Sequence, residues 1–373
     1  MNKNVIYVGI DVDDNAFHSN ALFPVTGEIL EFKTKPTLKG LEAKLLELRE
    51  KYPDFILKIC YEATYIGFTL QRDLSALGFD CSVVAPSSIP RVHGNQLKTD
   101  RIDAGKLAQF YAAGILTFVT VPEKEMEFDR DLMRSRQFML HQLSELRTHI
   151  QSLLRRNGIH YKSETGNLSH WTKHHMSWLE KKVDTLEGSV KQNLKLLVQQ
   201  MKWVDHTLDE YKKSVDELAS TPKYKDEVNA LVCYHGIKNI FAMVMITEIG
   251  SVDRFSHPNQ LVSWMGFDIR EYSSGGKHNR FGITKHGNRY LRTAFVEANQ
   301  RIPRNKRISS DLKSRRKEID PKLIHIADRC RERISKKANR LLFAGKHPNK
   351  VKVACAREMV GFVWESLRAA KCA

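Results

Sequence analysis

The chain has 373 residues, which is enough for two or three domains that each bury a core of their own. Its six cysteines are scattered and include no Cys-x-x-Cys pair, which argues against a disulfide framework and against a zinc site. No apolar run approaches the roughly 18 residues of a membrane span, and the N-terminus lacks a signal-peptide core. We therefore expect a soluble, cytoplasmic protein.

The positive charge of the chain is concentrated in its last third. The net charge is +17, and residues 269–373 alone contain 27 Lys and Arg against 9 Asp and Glu, so the remainder is close to neutral. A cationic surface that only aids solubility would not need this density. The distribution indicates a polyanionic partner, most simply DNA or RNA.

Strand-like and helix-like patterns alternate over the first hundred residues and predict an α/β domain with a mixed sheet. A hairpin is expected to turn near Gly27. The strand-like runs are NVIYVGIDV, FILKICYE and FDCSVVAP, and the helix-like runs are KGLEAKLLELREKY and GFTLQRDLSALG.

From about Asp129 the apolar residues repeat every 3.5 positions, which predicts two long helices of coiled-coil type. The stripes must be buried against each other or against a second copy of the chain. The pattern allows both, and we favour dimerisation through at least part of this region. The first seam is Met139, Leu143, Leu146, Ile150 and Leu153. The second, which contains one stutter, is Leu179, Val183, Leu186, Val190, Leu194, Leu197, Met201, Val204, Leu208, Tyr211, Val215 and Leu218.

Acidic residues end two of the apolar strands and begin a predicted helix. Asp11 lies near the end of NVIYVGIDV, where a carboxylate without a partner is costly to bury, and Glu62 ends FILKICYE. In KTDRIDAGK, Asp100 and Asp103 are three residues apart and share the apolar face of the helix. Several convergent carboxylates are what magnesium requires, and phosphodiester chemistry uses such clusters.

Each of these acids also has a purely structural explanation. Asp100 is favoured at a helix N-terminus by the dipole, Glu62 can pair with Lys58, and Asp11 can cap a turn. The combination of all four acids, rather than any one of them, favours a metal site.

The order GIDV, YEAT, KTDRIDA resembles the D-E-D-D signature of a RuvC-like, RNase H-type nuclease domain. Such a domain is found in the DEDD-type transposases of bacterial insertion sequences, the bridge-RNA-guided recombinases, and in the related Piv DNA invertases. Asp13 and Asp14 have no counterpart in the signature, and we expect them to face solvent. The resemblance implies Mg²⁺ held by four catalytic carboxylates, which are Asp11, Glu62, Asp100 and Asp103.

The resemblance continues through ITEIGSVDRF, REYSSGGK and GITKHGNRYLR, which are similar to the second domain of the same transposases. In that domain a loop carries a catalytic serine just before a glycine. Ser274, followed by Gly275, matches this position, and Ser273 is the alternative if the register differs by one. A serine hydroxyl is a weak nucleophile until it is activated, and we expect the metal site to activate it.

Glycine and cations around this loop are expected to contact nucleic acid. Gly275 lets a phosphate approach closely, and Gly236 in the turn HGIK keeps a tight turn, although the family's usual Pro-Gly-Ile-Gly is not conserved there. The cations that would position phosphates are Lys277, Arg280, Lys285, Arg289 and Arg292.

Because the resemblance spans nearly the whole chain, it implies three parts. Residues 1–125 would form the RuvC-like α/β domain and residues 126–222 a helical coiled-coil region. Residues 223–373 would form a mostly α-helical transposase domain that bears the serine and includes a helix-hairpin-helix-like element.

The function implied is that of a site-specific DNA recombinase, a transposase that cuts and rejoins DNA through a covalent phosphoserine intermediate. The expected partners are the element ends and target DNA, a noncoding guide RNA, and further copies of the chain in a dimer or tetramer on the bacterial nucleoid. Two alternatives remain. One is a metal-only, structure-selective nuclease resembling a junction resolvase, and the other is a nucleic-acid-binding scaffold without catalysis.

Overall fold

The chain divides into two units, Met1–Pro122 and Glu123–Ala373, which we describe separately. The computed structural model describes residues 4–86, 89–90, 100–274, 277–300 and 308–371. The side chains of Asp100, Arg101, Ser274, Lys277 and His278 are outside this description. The further division at residue 222 remains a prediction.

A six-stranded mixed sheet is the centre of the first unit and confirms the predicted α/β architecture. The strand order is β3-β2-β1-β4-β5-β6, in which β1, β4 and β5 are parallel and the other neighbours are antiparallel. The predicted hairpin turns at Gly27, whose backbone has φ 75°. The strands are β1 (Val5–Val12), β2 (Phe17–Leu22), β3 (Ile29–Thr34), β4 (Ile56–Glu62), β5 (Asp80–Val84) and β6 (Phe118–Val119).

Helices cover both faces of this sheet. Helices α1 (Leu38–Lys51) and α2 (Thr69–Ala76) pack on one face, where Ile6, Val8 and Ile10 are fully buried. Helix α3 (Asp100–Ala112) packs on the opposite face, over Gly9. Residues of a strand alternate between faces, so Gly9 faces away from Val8 and Ile10. Burial on both faces explains why the central strands read as continuous apolar runs.

Gly9 allows α3 to lie directly on β1. A Cβ atom at Gly9 would collide with the carbonyl oxygen of Ala104 and would lie 2.6 Å from the backbone nitrogen of Ala108. A Cβ at Gly105 would lie 2.8 Å from Nδ2 of the buried Asn20 on β2. The backbones of helix and strand therefore approach more closely than side chains would permit.

The second unit is mainly helical. The segments on either side of the turn at Gly236 are both helical. Its elements are α4 (Lys124–Arg156), α5 (Tyr161–Glu164), α6 (Lys173–Thr185), α7 (Gly188–Ala219), α8 (Lys225–Val232), α9 (Asn239–Ile249), α10 (Pro258–Trp264), β7 (Ile269–Ser274), β8 (Lys277–Ile283), α11 (Arg289–Ala298), α12 (Ser310–Arg315), α13 (Pro321–Phe343) and α14 (Pro348–Lys371).

The apolar seams pack against each other within the chain. Met139, Leu143 and Ile150 of α4 share one core with Leu194 and Met201 of α7. The prediction of a single helix over the second seam is wrong, because the seam is divided between two helices, α6 and α7. The break occurs because the backbone at Leu186 is extended and Gly188 takes a positive φ of 59°, which glycine adopts without steric cost.

A buried carboxylate joins three helices of the second unit. Glu248 on α9 is 3% exposed and accepts two hydrogen bonds from Arg134 on α4, at 2.7 and 2.9 Å. Asn288 Nδ2, at the N-cap of α11, donates to Oε2 of the same carboxylate at 2.6 Å. Arg130 adds a second guanidinium 3.9 Å from that oxygen. The charge of Glu248 is thus compensated where solvent does not reach.

No helix in the described part of the chain is long and apolar enough to cross a membrane.

Gly9→Ala should destabilise the first unit by about 1–3 kcal/mol, because the new methyl group forces α3 away from β1. Gly361→Ala in α14 is the matched control, since its Cβ would meet only Pro258 at an ordinary 3.9 Å. There the better helix propensity of alanine should leave the protein equally or more stable. Urea unfolding of both variants measures the difference, and equal stability would show that α3 can move at no cost.

Glu248→Ala should lower the free energy of unfolding by about 3 kcal/mol, because two guanidinium groups and Asn288 lose their shared acceptor. This is the lower end of the range for a broken buried pair, since the Arg134 side chain is 40% exposed. Glu47→Ala, which removes the surface pair with Lys44, should change stability little. Chemical denaturation followed by circular dichroism tests both, and similar effects would contradict this role for Glu248.

Candidate active-site residues

Asp11 and Glu62 lie side by side on neighbouring parallel strands. The ladder between β1 and β4 pairs Gly9 with Cys60 and Ile10 with Tyr61, and the same register places Asp11 next to Glu62. Adjacent strands are about 4.8 Å apart, and laterally adjacent residues project to the same face. Both side chains are partly exposed. The two carboxylates therefore share one face at the carboxyl end of the sheet.

Helix α3 runs along that same face with its first turn toward Asp11. Ala104 and Ala108 lie over Gly9, whereas the Tyr111 ring lies 5.1 Å from the ring of Tyr7, two residues earlier on β1. The helix thus descends from the carboxyl end of β1. Its first turn, which begins at Asp100, is placed near the end of the sheet that carries Asp11 and Glu62.

Asp103 is held by a neighbour on its own helix. Its Oδ1 accepts a hydrogen bond of 3.0 Å from Lys106 Nζ, one turn later, and its side chain is 31% exposed. Within the described side chains, which do not include that of Asp100, no three His, Cys, Asp or Glu residues are close enough together to hold a metal ion. Asp11, Glu62 and Asp103 are thus near one end of the sheet without forming a closed three-carboxylate cluster.

The loops beside Asp11 add further negative charge. The Tyr65 hydroxyl, in the loop after β4, hydrogen-bonds Asp14, and this bond, with the charges of Asp14, Asp13 and Asp11, raises the pKa of Tyr65 to about 12. Asp14 is exposed as expected, while Asp13 is only partly exposed and its Oδ1 accepts from the Asn15 backbone at 2.9 Å. Several acidic side chains, Asp11, Asp13, Asp14 and Glu62, thus lie at this end of the sheet.

The serines of YSSGGK belong to a β-hairpin rather than to an open loop. Strands β7 and β8 pair antiparallel, with Ser273 opposite His278 and Ser274 opposite Lys277. Ser273 is exposed, and the side chain of Ser274 and all of Gly275 lie outside the described residues.

Close backbone contacts hold the base of this hairpin. A Cβ at Gly266 would lie 2.8 Å from the carbonyl carbon of His286, and one at Gly287 would collide with the Trp264 carbonyl. Lys285 has a positive φ of 59° and its backbone nitrogen donates to the Gly266 carbonyl at 3.0 Å. Such a conformation is uncommon for a residue other than glycine, so the base of the hairpin is tightly constrained.

Some of the cations predicted to contact nucleic acid already make contacts within the protein. Arg280 is 69% exposed but pairs with Glu271 across the hairpin at 2.9 Å, and Lys285 is exposed. Arg289 stacks on the Tyr290 ring at 5.0 Å. Arg292 donates to the Met265 carbonyl at 2.7 Å and is partly buried, which lowers the pKa of its guanidinium. The Lys277 side chain lies outside the described residues.

Gly236 has a packing reason to be glycine. Its φ is 83°, and a Cβ there would collide with the carbonyl oxygen of Ala298 at the end of α11. The turn between α8 and α9 therefore packs closely against α11, and this packing requires glycine independently of any contact with nucleic acid.

Several residues of the site were not identified from the sequence. The Lys106 contact could have been read from its spacing of three after Asp103. The pairing of Tyr65 with Asp14 and that of Asn288 with Glu248 had no sequence signal, because the partners are brought together by the sheet register and by helix packing.

Two family models match the chain, one over the segment with the four acids and one over the segment with the β7–β8 hairpin. Residues 8–158 match the model of a DEDD transposase domain of the IS110 type, and residues 229–312 match the model described as the transposase IS116/IS110/IS902 family. The first match includes all four acids, and such a domain indicates dependence on a divalent metal. The second includes the β7–β8 hairpin and the turn at Gly236.

Individual relatives support the same assignment. The chain is 33% identical to a putative transposase of Sinorhizobium fredii over 332 residues, which is 89% of this chain and 80% of that protein. It is 27% identical over 249 residues to the transposase for insertion sequence element IS1533 of Leptospira borgpetersenii, covering 66% of this chain and 70% of the relative. With both family models and these relatives in agreement, the chain belongs to the IS110/IS116/IS902 family of transposases, enzymes that act on DNA.

Proposed function

We propose that this transposase is a site-specific recombinase that cuts and rejoins DNA through a covalent ester at Ser274, with magnesium held by four acids. The observation that carries the proposal is the placement of Asp11 beside Glu62, with the first turn of α3 directed to the same end of the sheet. The acids Asp100 and Asp103 would complete the set.

The donor chemistry of this end of the sheet fits a hard divalent cation. The ligands offered are carboxylate oxygens, which Mg²⁺ prefers. The raised pKa of Tyr65 agrees with this, because the hydrogen bond to Asp14 and the nearby charges of Asp14, Asp13 and Asp11 favour the protonated phenol. When bound, magnesium would stabilise the attacking and leaving oxygens of phosphoryl transfer.

The serine reaction requires no nucleotide triphosphate. The Ser274 oxygen would form an ester bond to the scissile phosphorus while the bond from that phosphorus to one strand oxygen breaks, and that oxygen leaves as a hydroxyl with the serine proton. An incoming strand hydroxyl would reverse the exchange and free the serine. One P–O bond forms for each that breaks, so the bond energy is retained in the protein–DNA ester.

Cations around the hairpin would bind the DNA backbone. Lys285 and Arg280 are exposed, and Arg280 needs only to exchange Glu271 for a phosphate. Lys277 and Gly275, which flank the turn in the sequence, would contribute in the same way. These contacts position the strand and carry no base information.

We include in the proposal a noncoding guide RNA that pairs with donor and target DNA. Base pairing with the guide would then recognise the DNA sequence, while the basic last third of the chain would bind the phosphate backbone of the nucleic acid.

We also include association of the chain with further copies of itself. Leu196 and Trp203 on α7 are seven residues apart and 56% and 61% exposed, so an apolar stripe remains on this helix after the seams are buried.

A denaturant-resistant adduct tests the serine ester. The protein, expressed together with the noncoding flanks of its gene, is mixed with labelled element-end DNA and Mg²⁺. We expect a labelled covalent band that is lost in Ser274→Ala and reduced at least about a hundredfold in Asp11→Asn, because removal of a group that stabilises the transition state costs that much.

Two controls make the result specific. Ser273→Ala should keep the band, and a band lost in Ser273→Ala but kept in Ser274→Ala would move the nucleophile by one residue. Asp54→Asn, an exposed acid in the turn before β4, should behave like the wild type. Cleavage without a band that survives Ser274→Ala would identify a metal-only nuclease instead.

Removal of divalent ions tests the metal site separately. EDTA should abolish the covalent band, and added Mg²⁺ should restore it at constant ionic strength, because the carboxylates otherwise repel the phosphate. Binding of the same DNA in a gel-shift assay should persist in EDTA, since the cations proposed to bind the DNA backbone are distinct from the four acids. An undiminished band in EDTA would show that the acids do not act through a metal.

A further inference from the structure

A small cavity lies where α4, α5 and α6 of the second unit meet, and, as far as the structure describes the chain, neither the four acids nor the residues of the β7–β8 hairpin line it. Its volume is about 150 Å³, well below the roughly 300 Å³ at which pockets for drug-sized ligands begin. The floor includes Tyr161 and His175, which are 3% and 0% exposed. A site of this size admits a small ion or a few waters.

The buried His175 ring lines this cavity and carries a hydrogen-bond donor. Its Nδ1 accepts a hydrogen bond of 3.1 Å from the Trp171 backbone nitrogen, and burial, with the neighbouring His170, lowers the pKa of His175 to about 4. The neutral ring must then carry its proton on Nε2. Nε2 is buried and has no hydrogen-bond partner among the described residues.

The loop before α6 stabilises the His175 tautomer that carries its proton on Nε2. Trp171 has a positive φ of 64°, a conformation rarely adopted by residues other than glycine, and this directs its N–H to His175. The rings of Trp171 and Tyr161 pack edge-on to His175 at 4.7 and 4.3 Å. The imidazole is therefore fixed in orientation.

Tyr161 supplies a second unpartnered donor at the same place. Its hydroxyl is buried, and within the described part of the chain no acceptor is in hydrogen-bond range. A buried polar group without a partner is costly. Two donors that both lack acceptors, on one cavity floor, point to a ligand rich in acceptors.

The rim of the cavity is cationic. Arg155 and Lys162 line it, both exposed, together with His160 and Ser163. None of the described residues that line it is acidic. A metal cation is disfavoured by this charge and by the tautomer of His175, whose Nε2 carries a proton instead of a free lone pair.

The geometry points to an oxyanion site that takes one phosphate group, bound by Tyr161 and His175 on the floor and by Arg155 and Lys162 on the rim. A tetrahedral phosphate offers the several acceptors that these donors lack, and charge-assisted hydrogen bonds from cations are the stronger kind. The source of the phosphate is either the free ion or the backbone of a nucleic acid. This site does not depend on the proposed recombinase mechanism.

The test is calorimetric titration of the full chain with inorganic phosphate against sodium chloride of equal ionic strength. We expect saturable binding, weakened about tenfold in Tyr161→Phe, since a hydrogen bond to a charged group is lost. Lys162→Met should also weaken it, whereas Lys181→Met, which removes an exposed cation of α6 outside the cavity, should not. Tyr161→Phe retains the ring, and thermal unfolding in phosphate-free buffer verifies its fold.

A second titration, with a short oligothymidylate present, distinguishes the sources. Displacement of phosphate by the oligonucleotide identifies a backbone phosphate, and undisturbed phosphate binding identifies the free ion. Binding no stronger than that of chloride, or equal affinity in the wild type and Tyr161→Phe, would overturn the assignment and leave the cavity to water.

Discussion

The contact between α3 and β1 at Gly9 is the constraint on which the acidic end of the first unit depends. The helix backbone lies on the strand so closely that a single methyl group would collide with it. This approach fixes the height of α3 along β1, and hence the position of its first turn relative to Asp11. Any residue but glycine would move Asp103 away from the two strand acids. Gly9 thus sets where the first turn of α3 lies relative to Asp11 and Glu62.

The second unit uses the opposite means, a buried charge, to position its hairpin. Glu248 joins α4, α9 and the N-cap of α11, and Asn288 connects this carboxylate to the segment that follows β8. Together with the glycine contacts at Gly266 and Gly287, it holds both ends of the hairpin that carries the serines.

The two units separate the charges that phosphodiester chemistry requires. Acids collect at one end of the sheet of the first unit, and cations are concentrated in the last third of the chain, which belongs to the second unit. Within the second unit, the pair of Arg280 with Glu271 lies at the surface and is therefore weak enough to exchange.

The sequence by itself determined the mixed α/β sheet, the strands that end in Asp11 and Glu62, the turn at Gly27 and the apolar seams of α4 and α7, because these follow from local periodicity. It did not predict the break between Leu186 and Gly188, where a glycine with positive φ interrupts a continuous apolar pattern, or that the two serines of YSSGGK lie on paired strands. Only the tertiary structure decided that Asp11 stands beside Glu62, that Tyr65 meets Asp14, and that Glu248 joins Arg134 to Asn288. Those contacts depend on strand register and helix packing between residues distant in the chain, and no local pattern encodes them.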